Sequence, residues 1–183
     1  RMIDVHYLGT VYVCQAAWNH FMAHGGGRIV NTVSEGVMGT LPKTTAYGAA
    51  KGAVIGLTLN MAQEGAKHAI SVNGFAPRVA SRMSTPEVLG NVHDAPPERF
   101  ASLGNVFMPE LCSPAAIYLA HESCPLNGAM LVCGGGRVMR MGFWQNEGLT
   151  SAALTVEQIA AEIDKVADYG TAAEVAVGMP MRG

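Results

Sequence analysis

The sequence predicts an α/β protein built on a parallel sheet, and three observations predict it. Short apolar, β-branched runs at residues 28–34, 70–75 and 130–133 alternate with helical stretches, the pattern of strands joined by helical crossovers. The intervening loops carry the chain breakers, with Gly36, Gly39 and Pro42 in one and Pro86, Gly90, Pro96 and Pro97 in another. Small residues recur along one long helical stretch, at Gly48, Ala49, Gly52, Ala53 and Gly56. They let another backbone approach that helix closely.

Taken in order, residues 2–23 read as a helix. Between Val5 and Gly27 there is no Asp, Glu, Lys or Arg, so this helix is expected to be buried in protein. Its length would suit a membrane span. His6, Gln15, Asn19, His20 and His24 are too many polar groups for a lipid-facing helix. The Gly25-Gly26-Gly27 cluster precedes a strand and reads as a turn. Residues 28–34 form a strand, 35–44 a loop, and 45–68 a long helix. Residues 70–75 form the next strand. The proline-rich stretch 77–107 is expected to be irregular and to cover a substrate. Ser113 is expected to cap a helix running to about residue 121. A strand over 130–133 follows, and Gly134-Gly135-Gly136 reads as a loop. Thr155 and Gln158 form a capping box that opens a final helix to about residue 168.

The balance of charge excludes some classes of partner. Charged residues make up 14% of the 183, hydrophobic residues 49%, and the formal net charge is −2. Nothing here attracts nucleic acid or an anionic membrane surface. One domain suits this length. The four cysteines, Cys14, Cys112, Cys124 and Cys133, form no Cys-x-x-Cys pair, and no histidine spacing completes a zinc site. They read as reduced thiols, and no metal is expected.

The chemistry lies in Tyr47-Gly48-Ala49-Ala50-Lys51, with Ser34 thirteen residues upstream of the tyrosine. On a helix, Tyr47 and Lys51 stand one turn apart on the same face. An ammonium near a phenol favours the phenolate. A serine hydroxyl at the end of the preceding strand can hydrogen-bond a carbonyl or hydroxyl. Together these groups make an acid/base site for moving a proton while a hydride moves elsewhere.

At these residues the chain resembles the short-chain dehydrogenase/reductase family, across roughly residues 2–136. Arg28-Ile29-Val30-Asn31-Thr32-Val33-Ser34 is similar to the family strand that ends in the serine. Ile70-Ser71-Val72-Asn73-Gly74-Phe75-Ala76-Pro77 is similar to the next strand and its proline. Gly128-Ala129-Met130-Leu131-Val132-Cys133-Gly134-Gly135 is similar to the last strand. Within the family, Asp4-Val5-His6-Tyr7-Leu8-Gly9-Thr10 and Ala76-Pro77-Arg78-Val79-Ala80-Ser81-Arg82-Met83 resemble one branch most. It is the (3R)-hydroxyacyl-CoA dehydrogenase domain of peroxisomal multifunctional enzymes, with its bacterial relatives.

The resemblance implies a Rossmann-like, doubly wound parallel sheet, of which this chain is expected to hold the C-terminal half. The strand–glycine turn–helix unit that opens the family fold is not found in the sequence. Residues 1–136 would be that half-domain, and 137–183 an extension with one helix. Tyr47 would be the general acid/base. Lys51 would favour its phenolate and hydrogen-bond the nicotinamide ribose, and Ser34 would polarise the reacting oxygen. His6 stands where the family has an asparagine that holds a relay water; its imidazole relays protons or only fills the space. Pro77, Val79 and Ser81 would border the nicotinamide, with Arg78 where glycine is usual.

The implied activity is an NAD- or NADP-dependent oxidoreduction between a secondary alcohol and a ketone. A 3-hydroxyacyl thioester of lipid metabolism or a steroid-like alcohol would be the substrate. A cytoplasmic homodimer or homotetramer is expected, paired through the two long helices. The missing half-domain could cover the same faces. The alternative is a non-catalytic interaction subunit that keeps the motif.

Overall fold

In a computed structural model the described residues are 1–175, 177 and 178. They form two units, Arg1–Met141 and Gly142–Gly183. The first unit opens with a π-helical segment, Ile3–Leu8, continuous with α1 (Gly9–Ala23). The Gly9 amide donates back five residues to the Asp4 carbonyl, the wider turn that defines a π segment. Then come β1 (Gly27–Thr32), a 3₁₀ turn (Glu35–Met38), α2 (Thr45–Ala66) and β2 (Ile70–Pro77). Residues 86–111 carry α3 (Pro86–His93), α4 (Leu103–Val106) and two more 3₁₀ turns. The unit ends with α5 (Ser113–Ala120), β3 (Met130–Gly134) and β4 (Arg137–Met141).

The sheet runs β1-β2-β3-β4. The first three strands are parallel, with Thr32 opposite Phe75 and Phe75 opposite Leu131. Alternation along β3 assigns its two faces. Met130 and Val132 pack with Val54 and Ile55 of α2, whereas Leu131 packs with Leu119 of α5 and Cys133 with Ala115 of α5. Helices therefore cover both faces, the Rossmann-like arrangement. The fully buried β3 is a continuous apolar run for the same reason.

Polar groups in this core are all paired. Asn31 on β1 accepts from the Cys14 thiol of α1 at 3.3 Å and donates to Thr58 of α2 at 3.1 Å. Thr58 in turn donates to the Val54 carbonyl at 2.8 Å. Asn73, 1% exposed, donates to the Leu126 carbonyl at 2.9 Å and accepts from the Ala129 amide at 3.0 Å. It thus fixes the loop that delivers β3.

Several expectations need correction. The sheet is mixed, not all parallel, because β4 returns antiparallel to β3. Gly135 and Gly136 hold φ of +59° and +72°, the two left-handed positions of a tight hairpin turn. The first compact unit runs to Met141 and so includes β4. The stretch 77–107 is not irregular: Thr85 caps α3, its hydroxyl accepting from the Val88 amide at 3.3 Å, with Pro86 in the first turn. Ser113 does not cap α5; its hydroxyl donates to the Pro109 carbonyl at 2.8 Å. Within this chain α1 buries Cys14 and leaves Tyr12 and Val13 exposed, the faces that another half-domain or subunit is expected to cover.

The second unit pairs β5 (Trp144–Gln145) with β6 (Ala173–Glu174), antiparallel. Between them lie α6 (Val156–Ala161), opened by the Thr155/Gln158 capping box, and α7 (Ile163–Ala167). The single helix expected there is broken at Glu162 (φ −112°, ψ 18°). Among the described residues all four cysteines are free and buried, and no helix is long and apolar enough to cross a membrane.

Replacing Asn73 with leucine strands a buried carbonyl and a buried amide. Each uncompensated group costs about 1–3 kcal/mol. Asn73→Leu should lower the denaturation midpoint clearly in chemical melts. An unchanged midpoint would show that the loop before β3 is held by other contacts.

Candidate active site

The candidate site lies at the C-terminal ends of the parallel strands, where α/β sheets open a crevice. Val33 continues β1 for one residue, its amide donating to the Phe75 carbonyl at 2.9 Å. Ser34 follows in extended conformation, and its hydroxyl accepts from the Gly36 amide at 3.1 Å, opening the 3₁₀ turn. Tyr47 stands in the first turn of α2 and Lys51 in the next.

Two glycines bring the serine and the tyrosine together. A Cβ on Gly48 would sit 3.0 Å from the Gly36 carbonyl oxygen, so the 3₁₀ turn rests on the start of α2. A Cβ on Gly36 would meet Tyr47 Cε1 at 3.2 Å and Ser34 Oγ at 3.3 Å. Gly36 thus lies between the serine hydroxyl and the tyrosine ring, and any side chain there would force them apart.

Lys51 is buried, 6% exposed. Its Nζ donates to the carbonyl of Thr32, the last residue of β1, at 2.7 Å, and lies 6.0 Å from the Tyr47 ring centroid. Burial pushes the Lys51 ammonium below its ordinary value. His6, in the π-helical segment, meets the Tyr47 ring edge-on, with centroids 5.4 Å apart and planes at 86°. Burial, and secondarily the Lys51 charge, hold His6 below its ordinary 6.5. Its neutral imidazole is therefore favoured near pH 7.

The predicted residues divide between two clefts, and Tyr47 lines neither of them. One, of about 490 Å³, is lined by Ser34, Gly36, Pro77 and Val79, with Leu41, Met83 and Phe107 as apolar walls. The other, of about 500 Å³, lies along β1 and is lined by His6, Thr32 and Lys51. Ser81 lines neither: its hydroxyl turns back to accept from the Met83 amide at 3.2 Å. Among the described residues no cluster of metal-ligating side chains occurs.

Sequence reasoning missed one feature of the first cleft. Arg78 Nε and Nη2 donate to Glu35 Oε2 and Oε1, both at 2.5 Å. The strand register could have found this pair. Thr32 lies opposite Phe75, and the same offset of 43 carries Glu35 opposite Arg78. A second clasp joins the loop after the 3₁₀ turn to α3. Lys43 Nζ donates to Asp94 Oδ1 at 2.5 Å and to the Asn91 carbonyl at 2.9 Å. Lys43 and Asp94 both have left-handed backbones, φ +59° and +51°.

Comparison with known proteins agrees with this geometry. The family model for short chain dehydrogenases matches residues 1–88. A short-chain type dehydrogenase/reductase of Mycobacterium tuberculosis is 36% identical over 173 residues, covering 93% of this chain and 56% of that protein. Full-length peroxisomal multifunctional enzyme type 2 from Drosophila melanogaster superposes with a TM-score of 0.77 at 26% identity, covering 95% of this chain and 30% of that one. A xylitol dehydrogenase solved with NAD+ bound superposes with a TM-score of 0.60 at 27% identity, covering 73% of this chain and 58% of that one. The chain thus spans less than two thirds of the length of these relatives. The family whose model matches, and the family that the Mycobacterium tuberculosis relative is named for, is that of the short-chain dehydrogenases/reductases.

Proposed function

We propose that this chain carries the proton-handling side of an NAD- or NADP-dependent oxidoreductase that interconverts a secondary alcohol and a ketone. The observation that carries this reading is the position of Tyr47. Gly36 and the Ser34 hydroxyl lie on one side of it, and His6 and the anchored Lys51 are its polar neighbours. In this reading the Ser34 hydroxyl holds the reacting oxygen and Tyr47 takes or gives its proton. Lys51, fixed on the Thr32 carbonyl, sets a positive charge 6.0 Å from the centroid of the Tyr47 ring. The neutral His6 ring accepts a proton onward from the tyrosine side.

The residues present fit the nicotinamide-ribose end of a dinucleotide. A hydroxyl and an ammonium one turn apart suit a ribose diol, and Pro77 and Val79 line the cleft on the Ser34 side. The nicotinamide would supply the hydride chemistry. No pyrophosphate cradle is formed by the two glycine clusters: Gly25-Gly26-Gly27 turns into β1, and Gly135 and Gly136 turn the hairpin into β4.

The apolar walls of the first cleft suit an alkyl or ring-bearing alcohol, which favours a 3-hydroxyacyl thioester or a steroid-like substrate. Likeness to a peroxisomal multifunctional enzyme supports the former. A homodimer or homotetramer is part of the proposal. The groove between α1 and α2, lined by Val11, Trp18, Leu57 and Met61, together with exposed Tyr12 and Val13, supports pairing through these helices.

Tyr47→Phe should lower turnover of a secondary alcohol with NAD+ or NADP+ by roughly 10²–10⁴-fold. Near-normal turnover would end the assignment of Tyr47. An absence of turnover in the unaltered protein with both cofactors would favour the non-catalytic alternative.

Lys51→Met removes the charge beside the phenol, so activity should fall and the alcohol-oxidation profile should move to higher pH. The same substitution reports on His6. The Lys51 charge is the smaller of the two causes that depress its titration. The His6 midpoint, followed by NMR, should therefore rise part of the way toward 6.5 in Lys51→Met. A midpoint that stays put would mean that Lys51 does not act on the ring.

A further inference from the structure

Glu35 and Arg78 are the only charged side chains that line the first cleft among the described residues. Each directly follows a residue of the site: Glu35 follows Ser34, and Arg78 follows Pro77. Both backbones are fixed. The Arg78 amide donates to the Cys133 carbonyl at 2.7 Å. A Cβ on Gly134 would lie 2.4 Å from the Arg78 carbonyl oxygen, so the arginine backbone is seated against a residue that must be glycine. The Glu35 carbonyl accepts from the Thr40 hydroxyl at 3.0 Å. From these fixed points the side chains meet fork to fork, the strong form of an ion pair.

The pair is half-sheltered. The Glu35 side chain is 20% exposed and that of Arg78 43%, so the carboxylate is the more sheltered partner. Paired, the two charges cancel. The remaining walls, including Leu41, Val79, Met83 and Phe107, present no charge to a ligand. Unpaired, Arg78 would offer a planar set of donors matched to a carboxylate.

We propose that Glu35 is a specificity-determining residue: by masking Arg78 it makes the cleft select an alcohol that carries no anionic group beside its reacting carbon. An ester or thioester flank is accepted and the corresponding free acid is not. This rests on the reading of the cleft as the substrate site.

The test compares 3-hydroxyoctanoate with its methyl ester, which differ by one methyl group and by the charge of the flank. Binding is read by calorimetry and turnover by NAD(P)H absorbance, in the protein and in two variants. The unaltered protein should bind the ester more tightly. Glu35→Gln should shift the acid-to-ester affinity ratio roughly tenfold toward the acid, as a freed guanidinium–carboxylate contact would. That gain should shrink as salt is raised. Arg78→Gln leaves the carboxylate unmasked and should move the ratio the other way, which also guards against a misfolded Glu35 variant. The double variant should return near the starting ratio. A ratio unchanged in both single variants overturns the proposal, as does an unaltered protein that binds neither ligand. Shifted binding ratios without any turnover would keep the masking role and reject the oxidoreductase reading instead.

Discussion

The pairing register of β1 with β2 is the constraint on which the site depends. With Thr32 opposite Phe75, the chain beyond each strand end emerges at a matched level. Ser34 and Glu35 then face Pro77 and Arg78 across one crevice. A slip of one residue would turn every side chain of β1 to the other face. Asn31 would leave Thr58 and Cys14, and Ser34 would leave the cleft. The core itself forbids that slip, because Asn31 would be buried on the far face without its partners.

The same strand end holds the one buried ammonium among the described residues. Burying Lys51 is costly, and burial lowers its proton affinity. The Thr32 carbonyl offsets part of that cost through a charge-assisted bond at 2.7 Å. Because Thr32 ends β1 and Lys51 stands in α2, this bond also ties the helix to the strand beside Tyr47. The approach of Gly36 to Gly48 fixes the other side of the tyrosine. Helix α2 is therefore held at two points one turn apart, and the phenol sits between them.

The strands, both long helices and the shared helix face of Tyr47 and Lys51 are legible in the sequence because each rests on a local signal. Periodicity marks the strands and helices, and the tyrosine–lysine spacing marks one helix face. What escaped was written in chain reversals and in distant pairs. Gly134-Gly135-Gly136 reads as a loop in the sequence, whereas positive φ values make Gly135 and Gly136 a hairpin turn that adds β4. The prolines of 77–107 read as breakers, although Pro86 behind Thr85 begins a helix. Ser113 has the residue type of a cap but follows a 3₁₀ turn whose Pro109 carbonyl takes its hydroxyl. Ser81 is engaged within its own turn, a local hydrogen bond that competes with any outward role.

Tyr47 has Gly36 against its ring on one side, and His6 and Lys51 as its polar neighbours. On the Ser34 side the walls are apolar and their two charges cancel; on the Lys51 side an ammonium, an imidazole and a strand carbonyl gather within reach of one another. On the proposed reading a proton that leaves the alcohol must cross from the first environment to the second. A phenol can do this in place, since its hydroxyl bonds on one side while its charge is stabilised from the other. A charged flank on the ligand would undo the asymmetry by bringing a solvated ion into the apolar side. The masked arginine and the anchored lysine thus address one requirement: positive charge acts on the phenol from behind and is cancelled where the ligand enters.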